Sequence, residues 1–357
     1  MNAPFALQTE TISVADLCDP GEVARIDGFL REMAGLGSTP FHRPAWLRAV
    51  QCGTGQRATG LVAEKGGTIT GWLPLTVVRS PLFGFGLVSS GFGVGGGILA
   101  HRTGTAERLA RAAEELAGHF RCSSVELRSP KAPQDWARIE GRHCNFSADL
   151  AEDDEAQLLA VPRKQRAEIR KALKNDLTVT VGSLEKDRLA HYEVYAVSVH
   201  NLGTPVFPRK LFDAVLGKFG KRADILTVWH KRKAVASVLT LYHDGAAMPF
   251  WGGGTFEARG LRANELMYYR LMCHARELGC TRFDFGRSKT GSGPYKYKKN
   301  WGFEPEPLVY REWTAPGSKP RNIDPTDAGY SAKIALWKKL PLPVANLIGP
   351  WIARGLA

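Results

Sequence analysis

The residues best suited to chemistry form one block near the end of the chain, FDFGRSKTGSGPYKYKKNWGF, from Phe283 to Phe303. A short strand runs into an arginine, a Gly/Ser loop follows, and aromatic rings then alternate with lysines. The loop leaves room for a substrate, the rings can form the walls of a pocket, and the cations can hold phosphate or stabilise an oxyanion. We predict a substrate site from these residues: Arg287, Tyr295, Lys296, Tyr297, Lys298 and Trp301.

Two other interpretations of this block stay open, because aromatic and basic residues together also stack on nucleic-acid bases, and because a basic loop can simply close a sheet edge. The sequence lacks the motifs of several other kinds of active site. The sequence contains neither G-x-S-x-G nor H-E-x-x-H, and its histidines show no ligand spacing, so we expect no metal. GRSKTGSG from Gly286 lacks the lysine that a Walker-type phosphate loop requires after its second glycine.

A second cationic feature is the segment PRKQRAEIRKALKN, from Pro162 to Asn175. Proline is favourable at the first helical position, and on a helix Arg163, Arg166, Arg170 and Lys174 fall on one stripe. We predict an anion-binding helix, with a solvated surface helix as the alternative.

These residues belong to a part of the chain that repeats. A strand-rich stretch, a glycine cluster, a helix and a closing strand run from Ala58 to Pro130 and again from Ala223 to Lys289. The return of the same order of elements later in the chain predicts two copies of one α/β unit. We expect two tandem domains of the α/β (α+β) class, each a mixed, mostly antiparallel sheet flanked by helices. Their bounds are predicted as 1–150 and 151–315, with a linker and amphipathic tail over 316–357.

The composition indicates which partners and which cellular compartment to expect. The formal charge of +13 favours anionic partners such as nucleic acid, phosphorylated substrates or an acidic membrane surface. The six cysteines are scattered and the N-terminus does not resemble a signal sequence, which favours a cytoplasmic location.

The tandem repeat, the segment from Pro162, the pair WGGG and ARGLRANELMYYRLM, and FDFGRS…YKYKKNWGFEP together resemble the FemAB family. This family consists of acyltransferase-like proteins built from two GNAT-type folds. The pattern is most similar to FemAB-like proteins associated with exosortase/PEP-CTERM systems. The resemblance covers most of the chain, and is strongest from Pro162 to Trp313.

The resemblance implies transfer of an acyl or aminoacyl group to an amine without a covalent enzyme intermediate. The family's F-K-x-x-W-G motif maps onto residues 297–302, with tyrosine at its first position, which makes Lys298 the expected catalytic cation. It also implies that the donor lies near the second glycine cluster and the helix that follows it: Gly252, Gly253, Gly254 and Asn264.

The donor itself stays open between aminoacyl-tRNA and acyl-CoA or an acyl carrier, used as a co-substrate rather than a tightly bound cofactor. EARGLRAN from Glu257 departs from the GNAT motif for CoA pyrophosphate, and no helical-hairpin insertion of the tRNA-using members is visible. The resemblance implies an acceptor on a cell-surface polymer or exopolysaccharide precursor, an anionic lipid- or nucleotide-linked saccharide. The rival functions are a CoA- or carrier-dependent N-acyltransferase and a non-catalytic nucleic-acid binder.

The tail SAKIALWKKLPLPVANLIGPWIARGLA begins at Ser331. Its second arm places Val344, Leu347, Ile348, Trp351 and Ile352 at helical spacing, so we predict an amphipathic helix that Pro350 kinks. This helix either docks on the second domain or contacts the inner face of an anionic membrane. The sequence leaves both possibilities open.

Overall fold

The computed structural model describes residues 9–319, 321 and 328–357. The chain divides into two compact units. The first contains the described residues up to Ile139 and a later segment that begins at Val309. The second contains Glu140–Leu308 and the helices near the C-terminus.

Each unit is built on one eight-stranded sheet. The first sheet has the order β1-β2-β3-β4-β6-β16-β7, with β5 beside β3, and the second has the order β14-β8-β13-β12-β11-β10-β9, with β15 beside β8. The strands are β1 Thr11–Val14, β2 Arg57–Lys65, β3 Thr68–Ser80, β4 Gly84–Ser89, β5 Leu99–Ala100, β6 Ser124–Leu127, β7 Ala137–Ile139, β8 His143–Asp149, β9 Thr178–Gly182, β10 Ala223–His230, β11 Lys233–His243, β12 Ala246–Gly254, β13 Arg282–Asp284, β14 Ser288–Lys289, β15 Pro305–Pro307 and β16 Tyr310–Thr314.

Helices cover these sheets and supply much of the apolar core. They are α1 Pro20–Glu32, α2 Pro44–Thr54, α3 Thr103–His119, α4 Asp154–Ala160, α5 Arg163–Ala172, α6 Glu185–Leu202, α7 Arg209–Phe219, α8 Phe256–Leu261, α9 Ala263–Glu277, α10 Gly293–Asn300, α11 Ala328–Lys339 and α12 Leu342–Ala353. In the second unit α9 buries Leu266, Met267 and Leu271 against the sheet. Burying one such side chain contributes about 1.5–3 kcal/mol to folding.

The predicted repeat is confirmed by the order of strands. In the first unit β2, β3 and β4 are antiparallel neighbours, and α3 then leads to β6, which runs parallel to β4. In the second unit β10, β11 and β12 are antiparallel, and α9 leads to β13, which runs parallel to β12. The fold is therefore mixed α/β, with two sheets flanked by helices.

The division between the units differs from the predicted bounds of 1–150, 151–315 and 316–357. The first unit ends at Ile139 rather than near residue 150, because β8 pairs with β13 in the second sheet. The first unit also includes β16, which comes later in the chain and pairs with β6 and β7. These pairings are long-range, so local sequence patterns do not reveal them. Most of the predicted linker lies outside the described residues.

The tail docks on its own unit through small residues. Helix α12 contacts α6 and turns Ala345, Gly349 and Ala353 inward. A Cβ atom on Gly349 would lie 3.2 Å from the backbone nitrogen of Val206. Helix α11 also contacts α6 and buries Trp337. Pro350 lies within α12, which the structure assigns as one helix.

Docking of α11 predicts a difference between two glycine substitutions. Gly203 and Gly279 both have φ near +82°, but a Cβ atom on Gly203 would lie 2.5 Å from Cγ2 of Ile334, whereas Gly279 has open space around it. Gly279→Ala should cost only the left-handed backbone penalty, about 1–2 kcal/mol. Gly203→Ala should lower the free energy of unfolding by roughly 1–3 kcal/mol more, because α11 must shift. Urea denaturation of both variants measures this; equal losses would show that α11 does not pack at Gly203.

Candidate active site

The second unit contains a pair of parallel strands that separate. Strands β12 and β13 pair only through Ala246 and Ala247, although β12 continues as far as Gly254. From Met248 onward, the edge of β12 that faces away from β11 has no strand partner in the described part of the chain. Ligands of α/β sheets bind at the carboxyl ends of such strands, where unpaired backbone groups are available. The fork between β12 and β13 is therefore the natural place for a substrate.

The glycine cluster predicted near the donor forms the end of β12. Close packing explains why two of these positions are glycine. A Cβ atom on Gly252 would lie 2.8 Å from Val238 Cγ2, and one on Gly253 would lie 2.1 Å from Ser198 Oγ. Gly254 borders Asn264, whose Oδ1 would lie 2.6 Å from a Cβ atom there. Asn264 stands in the first turn of α9, and the N-cap of this helix is Arg262, in a left-handed conformation with φ 57°.

The predicted Gly/Ser loop is shorter than expected, because residues from Gly293 onward form α10. Ser292 caps this helix by accepting a hydrogen bond from the Tyr295 N–H at 3.3 Å. The helix turns Lys298 inward, where only 8% of the residue is exposed. Its Nζ donates to the carbonyl oxygens of Gly286 at 2.8 Å and Arg287 at 3.2 Å. Lys298 thus ties α10 to the chain that leaves β13.

The environment of Lys298 is mostly apolar. Its Nζ lies 5.5 Å from the ring centroid of Phe146 and 5.4 Å from that of Phe285. Burial lowers the pKa of Lys298 to about 7, the Asp284 carboxylate opposes this change, and the Arg287 guanidinium adds to it. Burial also raises the pKa of Asp284, although that carboxylate accepts hydrogen bonds from Gly286 N–H and Asn145 Nδ2. The site therefore holds a cation whose charge titrates near neutral pH.

The lowered pKa of Lys298 predicts a pH dependence of stability. Its folded-state pKa of about 7 lies below the ordinary value of 10.5, so unfolding takes up a proton between these two pH values. The free energy of unfolding should therefore rise with pH across this window, by up to about 1.4 kcal/mol per pH unit. Urea denaturation at pH 7, 8 and 9, compared with Lys298→Met, isolates this contribution. A constant difference between the two proteins would contradict a lowered pKa.

The aromatic residues of the block form a cluster beside this lysine. Tyr297 and Trp301 lie 6.3 Å apart between ring centroids, and Trp301 is almost fully buried. Tyr295 packs edge-on against Phe146 at 5.3 Å. Arg287 is half-buried and Lys296 is exposed on α10. The structure therefore places the predicted residues of this block in one region, with Tyr297 and Trp301 mainly in the core.

The predicted anion-binding helix, α5, lies across the start of α9. Glu168 of α5 pairs with Arg262, and Asn175, just after the helix, donates to the carbonyl of Leu261 at 2.8 Å. The basic stripe faces outward: Arg163 and Arg170 are exposed, and Arg166 is half-buried with its Nε donating to the Val161 carbonyl. The buried side of α5 consists of Gln165, Ile169 and Ala172.

Sequence reasoning missed a polar group at the junction of α5, α9 and α10. Burial raises the pKa of Glu265, in the first turn of α9, and the Glu168 carboxylate adds to this rise while Arg262 opposes it. Gln165 is 7% exposed and Trp301 2% exposed, yet Nε2 of Gln165 and Nε1 of Trp301 make no well-formed hydrogen bond to the described residues. Gln165 falls on the buried side of a strongly basic helix, which is the only signal the sequence offers for it.

Comparison with known proteins agrees with this architecture. Residues 162–299, which include β12, α9, β13 and most of α10, match the family described as the acetyltransferase (GNAT) domain. This part of the second unit is therefore similar in sequence to a GNAT acetyltransferase domain. A search of curated proteins finds no significant match to this chain.

Solved structures resemble most of the chain in fold. The crystal structure of FemX is 14% identical, with a TM-score of 0.63, and the match covers 82% of this chain and 96% of that one. A tandem GNAT protein from the clavulanic acid biosynthesis pathway is 15% identical, with a TM-score of 0.56 and coverage of 87% and 100%. L-PGS from Bacillus licheniformis is 13% identical, with a TM-score of 0.51 and coverage of 94% and 96%. At these identities the likeness concerns the fold.

Proposed function

We propose that the protein transfers an acyl or aminoacyl group to an amine of a cell-surface polymer or exopolysaccharide precursor. The observation that carries this proposal is the fork between β12 and β13, with Lys298 Nζ bonded to the Gly286 carbonyl just after β13 and Asn264 beside the end of β12. The fork provides unpaired backbone for an extended donor, and the lysine provides a cation within an apolar surrounding. The GNAT domain match and the fold shared with FemX support an acyltransferase.

The reaction needs alignment rather than a nucleophile of the enzyme. The acceptor nitrogen attacks the carbonyl carbon of a donor ester or thioester, a C–N bond forms, and the nitrogen loses a proton. The tetrahedral oxyanion then collapses, the C–O or C–S bond breaks, and the leaving group takes up a proton. We assign Lys298 to the oxyanion: two of its N–H groups hold the loop carbonyls of Gly286 and Arg287, and the third is available for the substrate.

The other residues of the site have proposed binding roles. Arg287 and Lys296 would hold an anionic part of the acceptor, and Tyr295 would line its path. The outward stripe of α5 would hold phosphates of the donor, either along a tRNA acceptor stem or on CoA. Glu265 is a proton acceptor of suitable type for the amine, since it is a carboxylate whose pKa burial raises.

The test is a transfer assay with defined donors. Radiolabelled aminoacyl-tRNA and acyl-CoA are each supplied with nucleotide-linked and lipid-linked saccharide fractions that carry amines. Amine-dependent loss of label from one donor identifies it. A purely nucleic-acid-binding protein would instead bind tRNA with a steep salt dependence and leave both donors intact.

A further inference from the structure

Helix α12 has two different faces, and only one of them is packed. Ala345, Gly349 and Ala353 recur every four residues and are buried, on a helix that contacts α6. Small residues at this spacing let a helix approach its neighbour closely. The tail is therefore held to the second unit without using its large apolar side chains.

Those large side chains lie on the outside. Val344 is 42% exposed, Leu347 80%, Ile348 39% and Trp351 51%. Their spacing of i, i+3, i+4 and i+7 places them on one continuous stripe. Leu336 of α11 is also 66% exposed. Monomeric soluble proteins rarely expose a contiguous apolar patch of this kind unless it is an interaction site.

The charged residues of the tail itself have one sign. Residues 328–357 contain no Asp or Glu, and their basic residues are Lys333, Lys338, Lys339 and Arg354. Lys338 and Lys339 are exposed at the end of α11. The Arg354 guanidinium lies 6.0 Å from the ring centroid of Trp351. Exposed tryptophan with flanking cations is typical of helices that lie at the headgroup level of a bilayer.

We propose that the outer face of α12, together with Leu336, is a docking surface for an anionic lipid bilayer. The stripe enters the boundary between headgroups and acyl chains, and the cations contact the anionic headgroups. A second copy of the chain is a poorer occupant, because a two-fold interface would bring the two cationic rims against each other. Among the described residues, every helix is too short or too polar to cross a bilayer, so the contact is peripheral.

Vesicle sedimentation of the full-length protein tests this surface. The probe is vesicles of phosphatidylcholine with about a quarter phosphatidylglycerol, against vesicles of phosphatidylcholine alone. Leu347→Ser with Trp351→Ser should weaken binding to the anionic vesicles about tenfold or more, because both side chains are already exposed and their replacement spares the fold. Lys338→Gln with Lys339→Gln should weaken binding and reduce its dependence on salt.

The matched control replaces exposed leucines elsewhere in the same unit. Leu184 is 67% exposed and Leu278 54% exposed, so Leu184→Ser with Leu278→Ser removes similar apolar area and should leave binding unchanged. The proposal is overturned if the unaltered protein stays in solution with anionic vesicles, or if the tail variant sediments as well as the control. It is also overturned if the protein dimerises without vesicles and the tail variant is monomeric, since the face would then join two copies.

Discussion

We expect Lys298→Met to lower kcat by about a hundred- to a thousandfold, the usual cost of removing one donor from an oxyanion site. Methionine keeps most of the volume of the side chain but removes the cation that lies between Phe146 and Phe285. It also removes the hydrogen bonds to the carbonyls of Gly286 and Arg287. Steady-state kinetics with the donor identified by the transfer assay measure the change.

Two further variants separate the charge of Lys298 from its effect on the loop. Lys299→Met alters the next residue of α10, which is exposed, and should keep nearly full activity. Lys298→Arg keeps a cation at a site that is only 8% exposed, and should recover part of the lost rate. If Lys298 only supported the loop, Lys298→Met would raise KM and increase amide exchange at residues 286–292, with kcat little changed. Unchanged turnover would remove Lys298 from the mechanism.

Replacing the α5 stripe should have the second-largest effect. Arg163→Gln, Arg166→Gln and Arg170→Gln together should weaken binding of a phosphate-rich donor roughly a hundredfold at low salt. The slope of log Kd against log salt should fall by about two to three, one for each lost phosphate contact. Salt-titrated binding of tRNA and of acyl-CoA measures this for each donor, and thermal melting checks that α5 stays folded.

A matched variant removes the same charge from another helix. Lys210→Gln, Lys218→Gln and Lys221→Gln alter exposed lysines of α7 and the residues after it, and should change affinity little. If both triple variants weaken binding equally, then net charge, rather than the α5 stripe, attracts the anion. If neither does, α5 is a solvated surface helix.

Local patterns predicted most of the elements that form the site. The predicted order of glycine cluster, helix and closing strand is observed as the end of β12, α9 and β13, because an apolar stripe of period 3.6 and a strand bounded by glycines are strong signals. The basic helix was predicted over Pro162–Asn175 and is observed over Arg163–Ala172. The repeat correctly predicted two sheets of the same order.

The features that the sequence could not predict depend on pairing between strands that are far apart in the chain. Strand β8 follows the first unit in the chain but pairs with β13 in the second sheet, and β16 returns to the first sheet. The sequence also did not predict that the side chain of Lys298 points inward. The run of tyrosines and lysines shows no apolar periodicity, and the helix α10 that turns Lys298 inward is defined by its cap at Ser292. Glu265 was overlooked because one acid in the first turn of a helix usually only stabilises the helix dipole.

The central claim is that the fork between β12 and β13 forms an amide on an acceptor amine. Mass spectrometry of the acceptor after incubation with enzyme and the identified donor tests it most directly. We predict an acceptor heavier by one acyl or aminoacyl group, joined by a bond that survives mild alkali as an amide does, and formed far more slowly by Lys298→Met. An acceptor of unchanged mass, an alkali-labile ester, or full product formation by Lys298→Met would contradict the claim.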